Sequence, residues 1–247
     1  MVTLKCLILA AGYATRLYPL TENFPKPLLQ VKDKTILDWL VDDLDTAGLI
    51  DEYVVISNHR FACHFEDWAK TKQQKITVVD DGTSTNETRL GAVKDIWFAI
   101  EKLGLDDDMV VIAGDNVLDF SLTKFVRYAM QKGTPCIMRY FEGTAAKLSK
   151  SGVVEIDESD KVLSMEEKPA QPKSNWCCPP FYYYTKEAAK LVQTGIDSGC
   201  GTDAPGSFIA WLCQQMAVHA MEMPGKRYDI GNLQSYEQVQ KDYKGIL

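Results

Sequence analysis

Leu4-Lys5-Cys6-Leu7-Ile8-Leu9-Ala10-Ala11-Gly12-Tyr13-Ala14-Thr15-Arg16-Leu17 is the stretch on which the fold turns. Residues 4–11 are apolar but for one lysine, as a parallel strand covered on both faces must be. The run empties into small residues and then an arginine. Working outward, short β-rich runs alternate with longer amphipathic ones. Ile36, Leu37, Leu40, Val41 and Leu44 recur at helical spacing and predict a helix over 35–47 that Gly48 ends. Strands follow at 53–57, 76–79 and 109–113, with helices at 59–72 and 90–103 between them. That β-α-β-α-β-α-β order predicts an α/β fold, a mostly parallel sheet with helices on both faces.

After Pro135 the texture changes. Strand-like runs at 136–141, 152–156, 162–166 and 181–184 follow with little helix between them, then helices at 186–194, 205–218 and 233–243. This second stretch reads as a mixed-sheet extension that builds a wall for a ligand. No repeat and no Pro/Gly/Ser linker divides the chain, so one domain over 1–247 is expected, with two domains left open.

Composition bounds the partners. The chain has 247 residues, 46% apolar and 25% charged, with 27 basic against 34 acidic side chains and a net charge of −7. Disordered and fibrous classes are excluded. No Lys/Arg stripe exists for a phosphate backbone, so nucleic acid is not an expected partner. No apolar run approaches the roughly 20 residues that span a bilayer, and a membrane is not expected either. Met1-Val2-Thr3-Leu4-Lys5-Cys6 lacks a charged segment followed by a cleavable apolar one, so no secretory leader is expected. The seven cysteines are odd in number and include no Cys-x-x-Cys pair, which points to free thiols in a reducing cytoplasm. Cys6 and Cys136 lie inside strand-like runs and read as small core residues.

The loop after the first strand sits at the carboxyl edge of the expected sheet, where open α/β folds bind ligands. Small side chains let backbone N–H groups approach phosphate oxygens, and Arg16 offers a charged fork that matches them. Lys26, ten residues on, is held between Pro25 and Pro27, which restrict where its ammonium can go. Neither a Walker A loop nor a G-x-G-x-x-G fingerprint is present. A second apolar run, at 109–113, ends in Gly114-Asp115-Asn116, which suits either a Mg²⁺ carboxylate or an Asx turn closing the strand. Asp229, in Tyr228-Asp229-Ile230-Gly231, reads as a further carboxylate ligand or as the approach to a helix capped by Asn232.

Residues 10–29 resemble the signature of the nucleotidyltransferases that make nucleotide sugars, small-small-Gly-x-Gly-Thr-Arg-Leu followed by Pro-Lys-Pro. The chain departs at Ala14, where the family has its second glycine and where a Cβ costs something if φ is positive. The resemblance continues, in order, through Gly114-Asp115-Asn116, Glu166-Glu167-Lys168-Pro169 with Asn175, and Tyr228-Asp229-Ile230-Gly231. It implies a Rossmann-like domain with a nucleotide-binding half over 1–134, an acceptor-binding half over 135–232 and a C-terminal helix over 233–247. It further implies a Mg²⁺-dependent transfer from a nucleoside triphosphate to a sugar 1-phosphate, with Asp115 and Asp229 as metal ligands. Arg16, Lys26 and Lys168 are the implied catalytic cations. Ala10, Ala11, Gly12, Tyr13, Ala14 and Thr15 would wrap the nucleotide, with Asn86 and Gly91 beside it. Asn116, Gly152, Glu167, Lys168 and Asn175 would meet the acceptor.

Cys177-Cys178-Pro179-Pro180 stands where the family runs into a flexible glycine, so a differently shaped acceptor is also open. A CTP-dependent enzyme acting on a small phosphorylated alcohol or phosphonate, such as phosphocholine, is one alternative. A non-catalytic nucleotide-binding regulator is another. The chain ends soon after its last expected helix, so a second activity is not expected; whether it forms a homo-oligomer is open. His59, His64 and His219 share no ligand spacing, and Trp39, Trp68, Trp97 and Trp211 are expected to pack. Trp176 stands beside the acceptor segment, and of Tyr182, Tyr183 and Tyr184 at most one strand face could meet a ligand.

Overall fold

The computed structural model describes residues 3–246. The leaderless N-terminus expected at Met1-Val2 lies outside them. Two compact units share the chain: 3–90, 112–123 and 224–246 form one, and 91–111 with 124–223 form the other.

The first unit carries three parallel strands, Leu4–Leu9, Glu52–Ser57 and Ile76–Asp80, in register with Leu9 opposite Ile56 and Ser57 opposite Asp80. Their carboxyl ends therefore finish level. Leu7, Ile8, Val54, Val55 and Ile56 are fully buried, which is why this sequence is continuous rather than alternating. The helix Ile36–Asp45 starts at a capping box: Asp38 N donates to Thr35 Oγ1 at 3.0 Å and Thr35 N to Asp38 Oδ2 at 3.1 Å. The helix Leu233–Asp242 starts likewise, with Ser235 N donating to Asn232 Oδ1 at 2.8 Å. Leu17, Leu29, Val31, Ile36, Val117, Ile230, Val239 and Tyr243 form the cluster that ties these pieces together. Each such aliphatic or aromatic side chain contributes about 1.5–3 kcal/mol on burial.

Two three-residue strands were not expected from sequence. Asn116–Leu118 and Arg227–Asp229 pair antiparallel, with Asp229 opposite Asn116 and Arg227 opposite Leu118. The helix foreseen over 59–72 spans Ala62–Ala69 instead, because Asn58 Oδ1 accepts from Phe61 N at 3.1 Å and turns the chain through His59 and Arg60 first.

The second unit is a mixed sheet. Val162–Glu167, Gly152–Ile156, Trp176–Cys178, Cys136–Phe141 and Phe181–Tyr184 run antiparallel to their neighbours. His219–Glu222 adds to Cys136–Phe141 in parallel. That strand occupies sequence next to the helix foreseen over 205–218, which stops at Leu212. The helix foreseen over 186–194 breaks at Leu191 into Lys186–Lys190 and Val192–Asp197. Thr123–Lys132 is a helix that the sequence reading passed over. All seven cysteines are free, and Cys6 and Cys136 are buried as expected. Among the described residues no helix is long and apolar enough to cross a membrane.

Candidate active site

The loop leaving the strand Leu4–Leu9 is built to hold its shape without a second glycine. Ala10 N donates to Ile56 O, and Asn58 Nδ2 to Ala11 O, both at 2.9 Å. Gly12 is exposed, and nothing lies within 4 Å of where a Cβ would stand. The Tyr13 side chain is buried with its ring 6.2 Å from that of Phe61 and its hydroxyl 3.4 Å from Thr83 Oγ1, so only its backbone is available to a ligand. Ala14 adopts the left-handed conformation, φ 46° and ψ 41°, as a glycine would there. Its carbonyl is held from two sides, by Leu17 N at 2.9 Å and by the fully buried Thr21 hydroxyl at 2.8 Å. Thr15, Arg16 and Leu17 then form a single 3-10 turn that leaves Thr15 and Arg16 exposed.

Opposite this loop, Lys26 opens a second 3-10 turn, Lys26–Leu28. Its side chain is buried, and its ammonium lies 2.8 Å from Asp115 Oδ2. Asp115 follows the strand Asp108–Ala113, anchored by Gly114 N donating to Leu9 O at 3.0 Å. Its other oxygen accepts from Asn116 Nδ2 at 2.6 Å, and Asn116 Oδ1 accepts from Arg227 Nη1 at 2.8 Å. Asn116 is 1% exposed, so its amide is spent on these two partners. The pairing of Asp229 with Asn116 brings the backbone of the second expected metal aspartate next to that of the first across 114 residues of sequence, while of the two only Asp115 lines the cleft. Arg16, Lys26 and Asp115 line one cleft with Gly12, Ala14 and Gly231, of about 260 Å³. That is below the ~300–1,000 Å³ of a site for a whole drug-sized ligand.

Among the described residues no group of three or more His, Cys, Asp or Glu side chains could hold a metal on its own. Magnesium does not need one. It takes one or two carboxylates, keeps waters, and completes its shell with substrate phosphates, so Asp115, which lines the cleft, suits it. In the same unit, Asn86 is exposed on the loop between Ile76–Asp80 and the next helix, with its carbonyl accepting from Arg89 Nη1 at 3.0 Å. His59 precedes its helix rather than lying on it. Its Nδ1 is 2.6 Å from Asp80 Oδ2, and that hydrogen bond raises its pKa.

The second unit holds the remaining expected residues. Gly91 is buried, and a Cβ there would lie 2.5 Å from Thr202 O. Gly152 pairs with Glu167 across two strands, and its own Cβ position is taken up by Met165 Cε at 2.7 Å and Glu167 Oε1 at 3.1 Å. Gly206, which the sequence reading did not single out, leaves room for the same carboxylate from the other side. Burial raises the pKa of Glu167, with Lys168 opposing. Lys168 is exposed, with φ 50°, and its N–H donates to Ser151 O at 3.0 Å. Asn175 is fastened to Glu142 by its Nδ2, which donates to Glu142 O at 2.8 Å. Trp176 lies under the Arg139 guanidinium, 4.3 Å from the ring centroid. Tyr182, Tyr183 and Tyr184 are all buried, so neither face of their strand is open, and Tyr183 Oη donates to Asp108 Oδ2 at 2.6 Å.

Fold and cleft together define an α/β protein with a small-residue loop, two cations and a carboxylate gathered at the strand ends. The chain belongs to the nucleotidyl transferase family, whose model matches residues 5–245. It is 26% identical over 99% of its length to a UTP–glucose-1-phosphate uridylyltransferase of Synechocystis, covering 63% of that protein. It is 27% identical over 96% of its length to a glucose-1-phosphate thymidylyltransferase of Streptomyces antibioticus, covering 65% of it. The chain thus spans about six-tenths of the length of the curated relatives it matches. A solved structure of UDP-glucose pyrophosphorylase complexed with UDP-glucose superposes with a TM-score of 0.81, covering 98% of each chain at 20% identity, a likeness of fold.

Proposed function

We propose that this protein is a Mg²⁺-dependent nucleotidyltransferase that joins a nucleoside triphosphate to a sugar 1-phosphate, giving a nucleotide sugar and pyrophosphate. Family membership and the printed activities of the relatives support the reaction class. The observation that carries it is the cleft that Arg16, Lys26 and Asp115 line together, with the strand bearing Asp229 paired to Asn116 next to Asp115. Two cations suit an anionic polyphosphate, and two carboxylates suit the cation that accompanies it.

In this reading an oxygen of the acceptor phosphate attacks the α-phosphorus, the α–β P–O bond breaks in line, and pyrophosphate carries away the electron pair. The acceptor is already anionic near neutral pH, so no protein nucleophile or base is needed; positioning and charge neutralisation supply the catalysis. Backbone N–H groups of residues 10–15 wrap the triphosphate. Arg16 steadies the leaving β- and γ-phosphates, and Lys26 the α-phosphate as charge builds. Lys168 holds the attacking phosphate and Glu167 a sugar hydroxyl, with Gly152 and Asn175 beside the acceptor and Asn86 and Gly91 beside the nucleotide. Asp115 and Asp229 would hold Mg²⁺, which when bound neutralises phosphate oxygens of both reactants. Residues 1–134 then serve the nucleotide, residues 135–232 the acceptor, and residues 233–247 add a terminal helix. Seven free thiols suit a reducing, cytoplasmic setting.

Pyrophosphate release with a panel of triphosphates, crossed with sugar 1-phosphates and phosphocholine, tests the proposal. Turnover should require both substrates and Mg²⁺, with a sugar 1-phosphate preferred. Asp115→Ala should cost at least ~10³-fold in kcat while the chain still folds. Release with phosphocholine alone, or a folded Asp115→Ala variant at full rate, would overturn it.

A further inference from the structure

The unbroken run of contacts Arg227–Asn116–Asp115–Lys26 does more than hold strands together. An asparagine amide can present either end to a neighbour, and here its two neighbours decide the matter. Arginine has only donors, so it takes the carbonyl; a carboxylate has only acceptors, so it takes the NH₂. Arg227 Nη1 to Asn116 Oδ1 is 2.8 Å and Asn116 Nδ2 to Asp115 Oδ1 is 2.6 Å, and Asn116 is 1% exposed, so water does not compete. With Lys26 Nζ on Oδ2 at 2.8 Å, both carboxylate oxygens have a fixed donor and the Asp115 plane cannot turn. Each oxygen keeps a lone pair for a further partner. Arg227 and Asp229 lie on one strand, paired with Leu118 and Asn116. A single short strand therefore carries Asp229 and, through Arg227 and Asn116, sets the orientation of Asp115.

We infer that Asn116 and Arg227 are positioning residues that orient Asp115 toward a divalent cation, Asn116 acting in this way rather than as a contact to the acceptor. This rests on the metal role proposed for Asp115. Partners behind a metal ligand are typically worth about 10–100-fold in metal affinity.

The probe is Mn²⁺ alone, followed by the electron paramagnetic resonance of the free ion, on the full chain. Arg227→Gln brings an acceptor to the place where only donors stood and should weaken Mn²⁺ binding about tenfold or more. Arg227→Lys keeps a donor-only cation and should recover most of the loss. In turnover assays Arg227→Gln should raise the Mg²⁺ concentration needed for half activity and leave the KM of the acceptor unchanged. Asn116→Leu, of similar volume, should reproduce the Mn²⁺ defect and carries the test if Arg227→Gln does not fold. Wild-type Mn²⁺ affinity in Arg227→Gln and Asn116→Leu, beside an Asp115→Asn variant that has lost it, would overturn the positioning role and leave the metal site standing. A raised acceptor KM with unchanged Mn²⁺ affinity would return Asn116 to the acceptor. Wild-type affinity in Asp115→Asn would remove the metal reading itself.

Discussion

The helix Ala92–Leu103 is bracketed by glycines at both ends, Gly91 and Gly104, and replacing each with alanine separates two costs that are usually confounded. Gly104 has φ 60° and ψ 41°, and nothing lies within 4 Å of its Cβ position. Gly104→Ala therefore meets only the left-handed penalty, about 1 kcal/mol net of the unfolded-state gain. Gly91 has φ 92° and ψ 151°, a region essentially closed to side chains, and its Cβ would also stand 2.5 Å from Thr202 O and 2.9 Å from Thr202 C. Those are backbone atoms, and they already accept the first helical amide bond, Val93 N to Thr202 O at 3.0 Å, with Ala92 N to Asp203 O at 3.3 Å beside it. Making room means giving up that anchorage, so Gly91→Ala should cost about 3 kcal/mol. At roughly 2–4 °C per kcal/mol for a chain of this size, melting should fall about 2–4 °C for Gly104→Ala and about 6–12 °C for Gly91→Ala. Calorimetry with urea titration at fixed m-value measures both. Equal losses for the two variants would show that residues 202–203 yield freely, and the argument from close approach would fail.

Ala14→Gly should leave the fold intact and stabilise it slightly, by about 0–1 kcal/mol, since relief of the left-handed strain outweighs the entropy of a freer unfolded chain and the loss of a half-buried methyl; chemical denaturation reads it, and a loss above about 1 kcal/mol would mean that the Cβ is needed. Burial alone would raise the pKa of Glu52, but hydrogen bonds from Thr77, Lys75 and Lys5 outweigh it and hold the carboxylate down at about 2, against an ordinary value of 4.5. A depressed acid stabilises above its ordinary pKa and loses that contribution as pH falls through its folded value. Glu52→Gln should therefore cost about 2 kcal/mol at pH 7, with the gap to wild type closing between pH 4.5 and about 2 in a series of urea titrations.

The parallel half of the fold is written in local pattern. The run at 4–11 and the helical spacing of Ile36 through Leu44 place their elements within a residue or two of where they stand. What local pattern did not show is what tertiary pairing creates. Asn116–Leu118 and Arg227–Asp229 are three residues each, too short to have a period, and each exists because the other is there. Yet they are what sets the strand bearing Asp229 against Asn116, the neighbour of Asp115. His219–Glu222 is a strand for the same reason, drawn onto Cys136–Phe141 although its sequence runs on from a helix. Thr123–Lys132 was missed because it buries only Phe125, Val126 and Ala129 amid polar neighbours. At the cleft, Arg16, Lys26 and Asp115 were legible as residue types at telling places. Thr21 and Arg227 were not, since a hydroxyl that supports a carbonyl and a guanidinium that turns an amide leave no mark in spacing.

The two compact units are threaded rather than strung in series: the chain passes between them at 90/91, 111/112, 123/124 and 223/224. A ribosome must therefore release more than two hundred residues before Arg227 and Asp229 can reach Asn116. A nascent or cleaved chain lacking that stretch would present the glycine-bearing loop and Asp115 without their partner strand. The pairing that completes this cleft thus waits on residues more than a hundred positions downstream of Asn116.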